Sequence, residues 1–327
     1  MAISIALSVI SMAIVVYLTY TPGILEHLKP KRLPGLVLAI GVTLLKVYFS
    51  AAKIRFLAEK AIGKMASIRI ALTWDFASAI TPSTIGGAPV ATFAMMREGL
   101  KLGKSSAIVL YGVMLDQFWY ALAVPILLIC GIWFKVLPDE IGLVGNAAML
   151  LIYITLLTYG ALLAYGLLIN PASLSRVITR IFKLPLLRKF SARAEAEAEN
   201  LVLYSGRLRE KPIAFVVKAF LLSTASWLCR IALPVIVILS LLPGDETLMV
   251  LRSLAMNLAF LVIPTPGGSG GVEGLFALFM GPLIDRSGFI GLAVFLWRII
   301  TYYISIGLGI MAMLWYIKAT VDDNFRV

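Results

Sequence analysis

Residues 261–279 read LVIPTPGGSGGVEGLFALF, a proline- and glycine-rich break followed by a glutamate, with apolar residues on both sides. Its middle has the composition of a flexible linker, while its flanks have that of a membrane segment. An unpaired backbone group in lipid costs several kcal/mol, so irregular backbone at membrane depth is confined to places enclosed by protein or by a water-filled cavity. The stretch is therefore expected to form the tip of a broken helix that turns inside the protein.

The rest of the chain fits that setting. Of 327 residues, 61% are hydrophobic and 14% are charged, and the mean hydropathy is +0.96. A soluble domain is about half apolar and a quarter charged. Apolar runs of about 20 residues, each enough to cross a hydrocarbon core of about 30 Å as a helix, recur along the whole length and leave no room for a sizeable soluble domain. The first run, Ile3 to Tyr20, has neither a basic leader nor an A-x-A-like cleavage site, so it reads as a retained helix. Cys130 and Cys229 lie in apolar runs as small core hydrophobes. The single histidine, His27, has no ligand cluster around it. Neither a zinc site nor a catalytic triad is implied, and no cofactor is expected. The net charge of +12 reports orientation and contact with anionic lipid before it reports nucleic acid.

Eight membrane segments are expected, at about 2–20, 34–58, 67–99, 104–134, 143–169, 212–242, 246–283 and 288–318. The polar stretch 171–211 holds nine Lys or Arg against four Glu, which assigns it to the cytoplasm. Within it Leu174, Val177, Ile178, Ile181 and Phe182 recur at helical spacing opposite Arg176, Arg180 and Lys183. That pattern fits a helix lying on the inner leaflet, and equally a plain topology signal. The strip Lys53, Arg55, Lys60, Lys64, Arg69 and the group Arg97, Lys101, Lys104 are placed on the same side. Turns near Asp139–Glu140 and Asp245–Glu246 go outside, although the mildly basic Lys29, Lys31 and Arg32 then fall outside as well.

On this topology segment 67–99 begins and ends in the cytoplasm, so it must enter and return. At its centre stands ITPSTIGGAPV, residues 80–90. Arms of about 12 residues reach ~18 Å, past mid-bilayer. Segment 246–283 repeats the plan from the outer face. Aligning Thr81-Pro82 with Thr265-Pro266 also superimposes Gly86-Gly87 on Gly270-Gly271 and Lys46 on Arg230. Helix, re-entrant hairpin, helix over about 34–134 would then recur with inverted topology over about 212–318, as in many transporters, all within one domain, 1–327. Two unrelated loops sharing turn chemistry would give the same matches.

The tip residues Thr81, Pro82, Gly86, Gly87, Thr265, Pro266, Gly267, Gly268, Gly270 and Gly271 admit two readings. One is a nest of N–H groups for phosphate, the other close packing of backbone. The P-loop alternative is excluded, because no Lys-Ser/Thr follows the glycines. Charges inside spans face a cavity or one another; these are Lys46, Asp75, Asp116, Arg230, Glu273 and Arg298. Arg230, Arg298 and Glu273 are expected to form one group, with an arginine receiving a lipid phosphate through its forked donors, and Glu273 either anchors an arginine or binds the cationic part of a substrate. Asp116 reads either as a substrate contact or as half of a structural ion pair.

ITPSTIGGAPVATFAMMREG and FLVIPTPGGSGGVEG resemble the paired signatures of the lysylphosphatidylglycerol synthase transmembrane region, the flippase-like part of the multiple peptide resistance factor. The resemblance covers essentially the whole chain. It implies a multi-pass protein of a prokaryotic cytoplasmic membrane that flips a phospholipid, or a related anionic isoprenoid lipid, between leaflets. In bifunctional members a soluble C-terminal domain attaches lysine or alanine to phosphatidylglycerol; nothing like it follows the membrane segments here, so aminoacyl transfer is not expected. Membrane lipids are the expected partners, with a homo-oligomer or a separate lipid-synthesising enzyme as further ones. The rival functions are a membrane-embedded lipid-modifying transferase and a non-transporting envelope scaffold.

Overall fold

The computed structural model describes residues 2–19, 33–81, 86–182, 191–263, 265, 267–284 and 288–324. Two of the expected tip residues, Pro82 and Pro266, lie outside the described residues, as do His27 and residues 183–190. The described residues form helices and turns without a strand. In order, the helices are α1 (Ala2–Thr19), α2 (Leu33–Leu57), α3 (Lys64–Ile80), α4 (Gly87–Arg97), α5 (Leu102–Cys130) and α6 (Gly142–Ala164). There follow α7 (Pro171–Phe182), α8 (Ser191–Arg209), α9 (Ile213–Leu241), α10 (Glu246–Ala259), α11 (Gly271–Met280), α12 (Gly288–Arg298) and α13 (Ile304–Asn324). A π turn, Tyr165–Ile169, extends α6, and another, Ile299–Tyr303, joins α12 to α13 in one rod. Among the described residues, five helices are long and apolar enough to cross a membrane: α2, α5, extended α6, α9 and the α12–α13 rod.

The two segments expected to turn back are both helix–break–helix pairs, and proline sets where each break begins. A residue before proline is pushed out of the α region. Accordingly Thr81, ahead of Pro82, has φ −104 and ψ 147, and Ile263, ahead of Pro264, has φ −78 and ψ 111. Asp245 opens α10 by accepting the Leu248 N–H at 3.0 Å, an N-cap worth about 1 kcal/mol. Gly99, at φ +90, closes α4; the Leu100 N–H reaches back to the Met95 carbonyl, as in a glycine-terminated helix.

The longest packing seam joins α2 to α9. They run antiparallel: Gly35 abuts Ser240, Ser50 hydrogen-bonds Ser226 at 2.9 Å, and Phe56 stacks on Phe215 at 4.6 Å between centroids. The apolar core divides along that seam. One large cluster gathers the second half of α2 with α3, α4, α5 and Ala219 of α9. The other gathers the end of α9 with α10, α11, α12 and Ala39 of α2. Each broken pair thus sits in its own core, and α2 and α9 serve both. Helix α6 packs only lightly, with about 6% of its apolar window buried. Helix α8 lies on α5 and on the π turn that extends α6, and its Glu197 carboxylate accepts the Gly103 N–H at 2.8 Å.

Candidate functional site

Two polar centres inside this apolar bundle hold the charges expected at membrane depth; Arg252, bonded to the Phe279 and Lys135 carbonyls, and the Arg69–Glu98 pair with Tyr316 lie apart from both. The first is the tip of the second broken pair. Gly267, Gly268 and Gly270 have φ of +62°, +68° and +92°, a region that side chains with a Cβ disfavour. Gly267 also has no room for one, since an ideal Cβ would stand 2.4 Å from the Ala79 carbonyl oxygen and 2.8 Å from the Tyr302 ring. The tip is therefore pressed against the end of α3, just ahead of the first break, and the Tyr302 hydroxyl donates to that same Ala79 carbonyl at 3.2 Å. Thr265 closes the loop, its hydroxyl donating to the Ser269 carbonyl at 2.8 Å and its carbonyl accepting the Gly268 N–H at 2.9 Å.

Glu273 leads out of this tip on the first turn of α11 and is fully buried, at 0% exposure. One carboxylate oxygen accepts the Gly270 N–H at 2.8 Å and the other accepts Arg298 Nε at 2.7 Å. The negative charge that a helix N-terminus favours is thus supplied at α11 by the protein itself. Arg298 is 4% exposed and its guanidinium lies 4.4 Å from the centroid of the Tyr302 ring, a cation–π distance. Its Nη2 is 2.7 Å from the same Glu273 oxygen but is not aligned to donate, which leaves a buried donor unsatisfied. The π turn that begins right after Arg298 rotates Tyr302 toward the tip; single π turns inside helices often mark functional sites.

The glycines of the first break pack differently. A Cβ on Gly86 would stand 2.2 Å from Thr81 Oγ1, and one on Gly87 would stand 2.1 Å from Ser78 Oγ and 2.5 Å from Trp74. Both serve the close approach of α4 to the end of α3.

The second centre lies along the α2–α9 seam. Lys46 pairs with Asp75 of α3 at 2.7 Å. Seven residues on, Lys53 donates to both oxygens of Asp116 of α5 at 2.8 and 3.0 Å and to Ser223 at 3.2 Å. The same carboxylate accepts Trp227 Nε1 at 3.1 Å and the Ser223 hydroxyl. Trp227 stacks on Trp119 at 5.3 Å and meets Tyr120 edge-on at 4.8 Å. Over its other side stands Arg230, 5.2 Å from the ring. Arg230 is exposed and has no carboxylate within ion-pair range among the described residues. It lies 17 residues from the start and 11 from the end of α9, some 16 Å in from the nearer end at about 1.5 Å per residue.

The expected trio is thereby divided. Glu273 and Arg298 meet, whereas Arg230 stands apart on the α9 surface, because α9 turns it toward Trp227 and Tyr120 and away from α11. Nor does the buried pair line an open cavity in this conformation. Asp116, read as either contact or ion pair, makes the ion pair. Lys53, placed with a cytoplasmic strip on charge alone, is 7% exposed inside the bundle. Ser50, Ser223, Ser226, Trp227 and Tyr302 did not stand out in the sequence. A signal was present for most of them: Lys46, Ser50 and Lys53 on α2, and Ser223, Trp227 and Arg230 on α9, follow the i, i+4, i+7 spacing of one helix face.

A family model described as the lysylphosphatidylglycerol synthase TM region matches residues 1–309. A UPF0104 membrane protein of Archaeoglobus fulgidus is 26% identical over 257 residues, covering 76% of this chain and 75% of that protein.

Proposed function

This chain belongs to the lysylphosphatidylglycerol synthase transmembrane-region family, and on that premise we propose that it moves an anionic lipid, a phospholipid or a phosphate-bearing isoprenoid, between the leaflets of a prokaryotic cytoplasmic membrane. Family and composition support a membrane, lipid-related role. The observation that carries the finer reading is Arg230. A cation at the centre of a spanning helix costs about 2.5–3.5 kcal/mol even on lenient insertion scales, and no carboxylate among the described residues offsets it. A lipid phosphate would, gripped by the planar fork of donors beside the amphipathic faces of Trp227 and Tyr120.

In this reading both broken pairs are re-entrant hairpins entering from opposite faces, α2 and α9 are equivalent members of an inverted repeat, and the eight segments together make one transport domain. Support comes from the antiparallel seam on which Lys46 and Arg230 occupy matching places, and from one core cluster for each broken pair. Lys46 differs from its partner in having an aspartate. The meeting of Gly267 with Ala79 would close the path between tips, so transport requires the tips to part, and parting would expose the unsatisfied Nη2 of Arg298 as a second phosphate donor.

The test is leaflet exchange of fluorescent phosphatidylglycerol in proteoliposomes, read by chemical quenching of the outer leaflet. Arg230→Gln should slow exchange at least tenfold, and Arg230→Lys should fall between, since lysine keeps the charge without the fork. Wild-type rates in both variants would refute the role of Arg230. Absence of exchange with the unmodified protein would favour an envelope scaffold, and a new product from the labelled lipid would favour a lipid-modifying transferase.

A further inference from the structure

The outer ends of α5 and α6 enclose a cavity of about 440 Å³ that neither polar centre uses. Its walls are apolar, Leu127, Leu128, Met149 and Leu150 among them, with Lys135 and Asn146 as polar lining residues. We propose that this cavity holds one hydrocarbon chain of the lipid whose phosphate is received at Arg230, a proposal that rests on the role of Arg230 given above.

Three observations carry it. The cavity adjoins the aromatic platform beside Arg230: its lining residues Val124 and Leu258 pack in the same cluster as Trp119, Tyr120 and Ile231, with Trp227 against it. Val124 follows Tyr120 by one helical turn, and Tyr120 meets edge-on the Trp227 ring over which Arg230 stands. A lipid with its phosphate on the guanidinium therefore finds the cavity one turn further along α5. Second, the far wall is α6, the least packed of the spanning helices, which at this end touches the bundle through α5 and α10 and meets α7 and α8 only at its other end, through the π turn. Its other side offers exposed Leu143, Leu151, Ile154 and Leu162, so a chain can enter sideways past α6 without crossing a polar layer. Third, the volume falls in the lower part of the roughly 300–1,000 Å³ range of small-molecule pockets, which suits a single chain and leaves a second chain to the surrounding lipid.

The occupant is thereby defined by two chemistries at a fixed spacing, an anionic phosphate at mid-span and an apolar chain running from it toward the outer ends of α5 and α6. A lipid so held is oriented as in the cytoplasmic leaflet but displaced outward by about half a bilayer. Ordinary annular lipid has no such relation to Arg230.

The experiment uses phosphatidylglycerol carrying a diazirine near the end of one acyl chain, photolysed with the full-length protein in nanodiscs, with adducts located by peptide mass spectrometry. Adducts on Leu128, Met149 and Leu150 should exceed those on Val37 and Leu38, exposed apolar residues of α2, at least fivefold, and Arg230→Gln should remove most of that excess. Leu150 is 55% exposed, so Leu150→Trp narrows the cavity without disturbing the core; it should slow exchange of the two-chain lipid at least fivefold. Even labelling of cavity and α2 residues, cavity labelling that is indifferent to Arg230→Gln, or normal exchange by Leu150→Trp would each overturn the proposal. If those results came while Arg230→Gln still abolished exchange, only the chain site would fall. If Arg230→Gln exchanged lipid normally, both would.

Discussion

Replacing Glu273 by glutamine keeps the shape of the side chain and removes the charge on which Arg298 rests. Both groups are closed off from solvent and lipid, at 0% and 4% exposure, so neither can be rehydrated when its partner is lost. Stranding one member of a buried pair in a soluble protein costs about 3–5 kcal/mol. Polar contacts between membrane helices measure less, about 0.6 kcal/mol on average with a maximum near 1.7, because the unfolded state in a bilayer also finds partners. Glu273 makes two charge-assisted bonds, to Arg298 Nε and to the Gly270 N–H, and so lies above the single-contact range. A cost of about 2–3 kcal/mol is expected for Glu273→Gln and a similar one for Arg298→Gln. The double variant should cost less than their sum by at least about 1 kcal/mol, the size expected for directly coupled residues. Detergent-titrated unfolding in bicelles provides the measurement, followed by the fluorescence of Trp297, whose ring stands 5.0 Å from Phe276. Additivity within about 0.5 kcal/mol would refute the claim that these residues act as a unit.

Gly267→Val should abolish exchange and lower thermal stability sharply, since it adds a branched chain where the Ala79 carbonyl and Tyr302 already touch. Gly270→Ala, at a positive φ but in open space, should cost only about 1 kcal/mol; equal losses in the two would show that contact with α3 is immaterial. Single cysteines at Lys64 and Arg97 should both label from the cytoplasmic face, and opposite accessibility would remove the first re-entrant hairpin. Lys53→Ala strands the Asp116 carboxylate, so it should destabilise more than Lys53→Ala combined with Asp116→Asn, measured by the same unfolding titration; the reverse order would mean that Lys53 is not the group holding that charge.

The breaks were legible because their cause is local. Proline acts on the residue before it, and Thr81 and Ile263 leave the helix where Pro82 and Pro264 require. Pairing was legible only in part. That Glu273 needs a cation follows from its setting, but the choice between Arg230 and Arg298 depends on which way α9 and the α12–α13 rod turn their faces, which charge and spacing alone do not fix. Lys53 shows the same limit more sharply. Five basic residues between positions 53 and 69 read as one cytoplasmic strip, yet its carboxylate partner is 63 residues away on α5. The cavity between α5 and α6 left no mark in the sequence, since its walls are ordinary apolar positions of spanning helices.

The α2–α9 seam also sets a schedule for making the protein. Its contacts join residues about 160–205 positions apart, from Phe56 with Phe215 to Gly35 with Ser240, with Lys53–Ser223 and Ser50–Ser226 between. At about 5–20 residues per second, α2 enters the bilayer roughly 10–35 s before α9 is synthesised. Through that interval it carries Lys46 and Lys53 in lipid. Asp75 and Asp116 arrive in the meantime, on α3 and α5, and each lysine acquires its carboxylate long before its serine neighbours appear. Of the charged residues along this seam Arg230 is made last, when Asp75 and Asp116 are already paired with lysines, an order of synthesis in keeping with the phosphate partner proposed for it.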